Sequence, residues 1–287
     1  MDLLITNALS GITYGMLLFL MASGLSIIFG LMKIINLAHG SFFLLGGYIA
    51  YSLMSRGINF WIALIVVPLI VAIIAFVFEK FLISKVHDRE NEQVLLTIGL
   101  IFVLGDLSLW IWGGDFLNIA TPSLLSFSVS LGSMSFPAYR LFVIFMGLLC
   151  AVLLWYFENK TKVGMIVRAG VDDMKMVSAL GYNVKLIFSL VFLFGAVLAG
   201  IGGVLGGPIL GMYPKMEYEI LVNSMIVVII GGLGSWKGAF IGSIMIGIID
   251  TFGKIWLPTY STLLIFLVMV LVLIIKPSGL FGKGVEA

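Results

Sequence analysis

FWIALIVVPLIVAIIAFVFEKFLI (60–83) is one apolar run that carries no charge before Glu79. A helix needs about 20 such residues to cross about 30 Å of hydrocarbon. Eight further segments of the same kind flank it, near 5–31, 37–54, 93–112, 140–157, 186–207, 218–233, 238–253 and 260–276. Three of them (37–54, 218–233 and 238–253) are short and punctuated by glycine, so the range is eight to ten. Inside lipid, each backbone N–H and C=O must find its partner within the protein, which selects helices. The sequence therefore predicts an all-α integral membrane protein, a polytopic bundle of about nine helices, some of them short or broken.

Composition agrees. Hydrophobic residues make up 61% of the 287 and charged residues 10%, and mean hydropathy is +1.21. A soluble domain carries about 45–50% apolar and about 25% charged residues. Too few charges remain to clothe a surface in water. The net charge of +2 gives no reason to expect a nucleic-acid partner. The single cysteine, Cys150, excludes an intramolecular disulfide and a CxxC site, and its apolar surroundings suit a small core residue. The start, MDLLITNALSG, has an acid and no basic n-region. It does not read as a cleaved signal peptide, so the first apolar segment is expected to stay in the membrane.

Lysine and arginine set the orientation, because cytoplasmic loops are enriched in them. With nine passes and the N-terminus outside, the cytoplasmic side holds Lys33, Lys80, Lys85, Arg89, Lys160, Lys162, Arg168, Lys175, Lys185, Lys237, Lys276 and Lys283. The opposite side holds only Arg56, Arg140, Lys215 and Lys254. The bias of 12 against 4 predicts N-terminus out and C-terminus in. The external connection 113–139, with Pro122 and Pro137, has room for a short hairpin or a surface helix.

Catalytic constellations are nearly absent. No HExxH, GxSxG, Walker A pattern or paired carboxylate motif occurs, and His87 lies in a polar turn, KVHDRENEQ. Neither an enzyme nor a cofactor is expected, and ATP hydrolysis, if used, must come from another chain.

Polar residues inside spans carry the functional reading. In KIINLAHGSFFLLGGYIAY (33–51), Asn36, His39, Gly40 and Ser41 separate two apolar stretches. A helix starting there needs its first N–H groups capped, and Asn36 or Ser41 suits that role. Transporters break helices so that the freed termini face substrate. The plainer alternative is a cytoplasmic turn with packing glycines. IIGGLGSWKGAFIGSIMIGIID (229–250) repeats the pattern with Gly231, Gly232, Gly234, Ser235 and Gly238. Its later glycines have the spacing of close helix contacts.

Asp106, Asn223 and Asp250 lie in or at the ends of spans and are candidates to line a pathway or to bond between helices. A charge in hydrocarbon costs at least about 2.5–3.5 kcal/mol on insertion scales. Glu217 and Glu219, next to Tyr213, Pro214 and Lys215, are expected at an external rim. In the long cytoplasmic loop (about 158–185), DDMKMVSALG reads as a short amphipathic helix closed by Gly181. Its apolar stripe must meet headgroups, the bundle or a partner.

NLAHGSFFLLGGY (36–48), TKVGMIVRAGVDDMKMVSALGYN (161–183), GGLGSWKGAFIGS (231–243) and PSGLFG (277–282) together resemble the LivH-type permeases. Those are membrane subunits of bacterial ABC importers for branched-chain amino acids. The likeness runs over nearly the whole chain, in the family's order. It implies a single permease domain over 1–287, in the bacterial cytoplasmic membrane. It implies a second, LivM-type permease, two cytoplasmic ATPase subunits, a periplasmic or lipid-anchored binding protein, and an amino acid as substrate. Arg168, Asp173, Met176, Ala179, Leu180 and Gly181 fall on the family's coupling segment, which would dock into an ATPase groove. The NLAHG and GGLGS turns would lie near the pathway. Asp106 and YPKMEYE (213–219) depart from the family pattern, and related permeases carry urea, short amides or aromatic acids. From another class, a stand-alone secondary transporter or channel would need its own ion site, for which Asp106 and Asp250 are the candidates.

Overall fold

Each apolar segment becomes one helix, because a helix alone satisfies its backbone within the run. A computed structural model describes residues 2–32, 36–86, 89–131 and 134–282. Among the described residues ten α-helices follow in order: α1 (Asp2–Met32), α2 (His39–Ser55), α3 (Phe60–Phe81), α4 (Glu90–Trp112), α5 (Ala138–Lys160), α6 (Lys162–Ala179), α7 (Val184–Leu210), α8 (Met216–Gly231), α9 (Trp236–Trp256) and α10 (Ser261–Ile275). Seven of them, α10 taken with its leading turn at Pro258, are long and apolar enough to cross a membrane. The other apolar pair, α2 and α8, has only 17 and 16 residues. His87 lies outside the described residues.

The most buried helix is α1, and close approach of backbones holds it there. Its apolar window is 83% buried, against 11% for α10. A Cβ at Gly11 would stand 2.8 Å from Ile248 Cα, and one at Gly15 would stand 2.7 Å from the Ser243 carbonyl oxygen. Side-chain-free faces of α1 and α9 therefore meet, as small residues allow in lipid. Phe19 and Phe240 seal the seam edge to face at 5.2 Å. Further along, Gly30 meets Gly234, so α1 and α9 run antiparallel.

α7 repeats the device. Gly195 faces Gly24 of α1, Gly200 faces Pro68 of α3, and Gly203 faces the Phe43 carbonyl of α2. Around this glycine-lined centre, α3, α4 and α10 turn apolar side chains outward, among them Ile65, Leu95 and Leu263. An exposed apolar surface of this extent suits lipid or a partner subunit rather than water. The connection 113–139 does hold a hairpin, β1 (Ser128–Leu131) paired antiparallel with β2 (Met134–Pro137). Leu117 and Met212 exchange backbone hydrogen bonds at 2.8 and 2.9 Å, which ties the connection to the turn after α7.

The amphipathic helix is longer than its sequence signal. α6 begins at Lys162, where Thr161 Oγ1 accepts from the Gly164 N–H at 3.0 Å. At Asp173 the backbone leaves helical angles (φ −150°, ψ 96°) and starts a second short helix. The Asp173 carboxylate caps that helix, accepting from the N–H groups of Lys175 (2.9 Å) and Met176 (3.1 Å). Gly181 ends it at φ 86°, a value an L side chain adopts only with strain.

Candidate functional site

The start of α2 is buried rather than superficial. His39 is fully buried and its Nε2 lies 3.3 Å from the Met21 carbonyl oxygen. A Cβ on Gly24 would sit 3.2 Å from His39 Cε1. Met21 and Gly24 precede the end of α1 by roughly 8–11 residues, or about 12–16 Å of helix. The chain thus doubles back along α1 before α2 begins. The expected caps differ in detail. Ala38 is the N-cap and no side chain caps α2. Asn36 Oδ1 instead accepts from the Ala38 N–H at 3.1 Å, closing a turn one residue earlier. Ser41 is buried and its hydroxyl has no partner, as is true of Asn36 Nδ2 and His39 Nδ1. Buried polar atoms are nearly always paired, so three orphans in one segment mark it. Gly40 is required by packing: a Cβ there would meet the Leu221 Cβ at 3.0 Å and overlap the Glu217 carbonyl.

Two of the three candidate pathway residues are brought together. Asn223 Nδ2 donates to the Tyr14 hydroxyl at 3.0 Å. Lys254 pairs with Asp250 at 2.7 Å and lies over the Tyr14 ring, 5.4 Å from its centre. Tyr14 thus joins α8, α1 and α9 through a polar chain that sequence reading missed, since an aromatic in an apolar run gives no sign of it. Asp106 stands apart, exposed on α4.

Glu217 corrects an expectation. Glu219 is exposed and accepts from the Tyr213 hydroxyl at 2.7 Å, as a rim residue should. Glu217 is only 1% exposed and packs beside Gly105 of α4. Two residues of separation rotate a helical side chain about 200°, so the two acids face opposite ways.

The GGLGS turn lies at a different level along α1 from His39. Gly234 meets Gly30, near the end of α1, and Gly238 packs on Gly231. Gly232 and Gly234 take φ 98° and 79°. Ser235 caps α9, accepting from the Gly238 N–H at 3.1 Å. The PSGLFG segment folds beneath: Leu280 and Phe281 N–H groups donate to the Ile230 and Gly231 carbonyls at 2.8 and 2.9 Å. Those carbonyls would otherwise be orphaned at the end of α8. Trp236 Nε1 donates to the Glu158 carboxylate, and Arg168 donates to Asn159 Oδ1 at 3.1 Å. A cleft of about 570 Å³ opens between Phe157, Arg168, Trp236, Lys237 and Phe281.

α6 is two-faced. Gly164, Val167, Gly170 and Val177 are buried toward the bundle. Met176 and Leu180 are 58% and 69% exposed, and Asp173, Ala179 and Gly181 are exposed beside them.

The family model described as the permease component of a branched-chain amino acid transport system matches residues 7–273. The chain belongs to that family. It is 28% identical to the high-affinity branched-chain amino acid transport permease LivH of Escherichia coli K12, over 96% of this chain and 94% of LivH. It is 23% identical to the permease LivM of the same organism, over 93% of this chain and 68% of LivM. Among solved structures, PsaBC from Streptococcus pneumoniae in complex with Fab superposes with a TM-score of 0.52 at 15% identity, covering 95% of this chain and 90% of that one. At that identity the likeness concerns the fold. As a permease with seven helices fit to cross a membrane, the chain is a multi-pass protein of the inner membrane.

Proposed function

We propose that this chain is the LivH-type subunit of an ATP-driven importer for branched-chain amino acids. Its partners are a LivM-type permease, two cytoplasmic ATPase subunits and a periplasmic or lipid-anchored binding protein. The observation that carries the reading is the two-faced α6. One face is anchored in the bundle, and the end after Asp173 offers Met176, Ala179 and Leu180 to solvent. An exposed apolar helix end of this kind suits insertion in a groove.

Transmission follows from what touches α6. Its base shares the cleft with Trp236 and the α8–α9 turn, and that turn is seated on Gly30 of α1. Movement of α6 when the ATPases close reaches α1, α8 and α9 through backbone contacts too tight to absorb it. The bundle then alternates between inward- and outward-open states, driven by the different fit of the ATPases to each. Asp106 supports the paired permease. An exposed acid within an apolar helix is costly against lipid, and a second permease on that face of α4 removes it from lipid.

The test is Ala179→Arg. A long cation at the docking end should abolish co-purification of the ATPase subunits and ATP-dependent leucine uptake, while membrane insertion persists. Unchanged assembly and uptake would refute the docking assignment.

A further inference from the structure

Glu217 occupies the first turn of α8, between α2 and α4. It is buried, and its Oε2 atom has no hydrogen-bond partner. Its other oxygen faces Gly105, where a Cβ would stand 2.7 Å from Oε1. The backbone N–H groups of Lys215 and Glu217 lie within reach of the carboxylate, and the Lys215 ammonium lies within electrostatic range without pairing to it. Such half-satisfied burial suits a carboxylate that waits for a donor.

The surroundings add to its negative charge. Asp106 follows Gly105 on α4, is exposed, and is within electrostatic range of Glu217. Tyr48 of α2, also within that range, has a buried hydroxyl with no partner. Because Gly105 packs against Glu217 Oε1, its neighbour Asp106 places a second carboxylate nearby on α4, and like charges near one another favour a cation. Among the described residues, no group of three or more metal-ligating side chains exists here. Two carboxylates with a hydroxyl fit the hydrogen bonds of an ammonium better than the ligand shell of a metal ion.

The complementary half is adjacent. Gly40 touches the backbone of Glu217, and the next residue, Ser41, has a buried, unpaired hydroxyl. This is the first turn of α2, where the His39 and Ser41 N–H groups already donate to the Asn36 and Ala38 carbonyls at 3.1 Å, so the Ser41 hydroxyl is the open donor. At the positive end of the α2 dipole, that hydroxyl favours a carboxylate.

We propose that Glu217, with Asp106, receives the α-ammonium of the transported amino acid while the start of α2 around Ser41 receives its carboxylate. The permease then selects a zwitterion and disfavours urea and neutral amides. An amide N–H can donate to Glu217 but brings no positive charge, so the buried carboxylate stays uncompensated, and that cost discriminates against it. The proposal rests on the importer reading above and names the residues that read the substrate within it.

The experiment uses the whole complex, with both permeases, both ATPases and the binding protein, in proteoliposomes. It measures ATP-driven uptake of leucine and stimulation of ATP hydrolysis by leucine-loaded binding protein. Glu217→Gln keeps the shape and removes the charge. Its uptake should fall at least about tenfold, the scale of one lost charge-assisted hydrogen bond. Stimulated hydrolysis reports whether the variant complex is assembled and engages its binding protein. Asp106→Asn, on an exposed face, should lower uptake by a smaller factor. Wild-type uptake by Glu217→Gln overturns the proposal. If Glu217→Gln fails to assemble, Asp106→Asn decides in its place, and wild-type uptake by that variant overturns it. Failure of the importer reading looks different: the unaltered complex would then accumulate no leucine at all.

Discussion

Gly40 is the residue at which packing and function are hardest to separate, and one comparison separates them. A Cβ at Gly40 collides with the backbone of α8, whereas one at Gly99 of α4 meets nothing within 4 Å. Overpacking of a tight contact costs about 1–3 kcal/mol. Gly40→Leu should therefore abolish uptake while the protein still inserts, and Gly99→Leu should behave as wild type. Normal uptake by Gly40→Leu would reduce the α2 start to a plain turn. Single residues were also where the sequence was least legible. Glu217 and Glu219 look alike in YPKMEYE, and only helix register separates a buried acid from a rim acid. The link from Asn223 through Tyr14 to Lys254 and Asp250 joins residues far apart in the chain. No local spacing encodes it. Asp106 was legible as anomalous, because a lone acid in an apolar run violates the cost of charge in lipid.

At the scale of elements the reading was nearly complete for the membrane helices. Every one of the nine apolar segments holds a helix, since length and apolarity are all that a span requires. α6 was half legible. DDMKMVSALG announced itself through Gly181, but residues 162–172 mix charge and apolar groups, and their helix depends on packing against Leu31 and Phe157. The break at Asp173 makes the distal half a separate unit with its own cap. Asp173→Ala removes that cap, at a cost of about 0.5–2 kcal/mol. Amide exchange over residues 174–180 should quicken, and ATPase subunits should co-purify less well, with the membrane helices unaffected. Asp173→Ser, which can still cap, should restore both. A loss that Ser fails to rescue would point to the carboxylate as a direct partner contact instead.

The whole molecule has one property that neither helix boundaries nor packing determine, namely which end faces the cytoplasm. The argument for it is electrostatic: basic residues gather on one side under N-out topology. The structure makes that side coherent, because α6, the GGLGS turn and the PSGLFG segment converge around one cleft, away from the hairpin and the Leu117–Met212 bridge. Arg140, one of the few cations expected outside, donates to Ser10 Oγ at 2.7 Å, so the starts of α1 and α5 lie on the same side. Cysteine labelling in intact cells tests the assignment. Cys150 is buried in an apolar helix and gives little background. Ser126→Cys, beside the hairpin, should react with a membrane-impermeant maleimide added from outside. Lys175→Cys, on the exposed end of α6, should react only after the membrane is opened. The reverse pattern would place α6 outside and remove any ATPase from its reach, so this labelling bears on the mechanism as directly as it bears on topology.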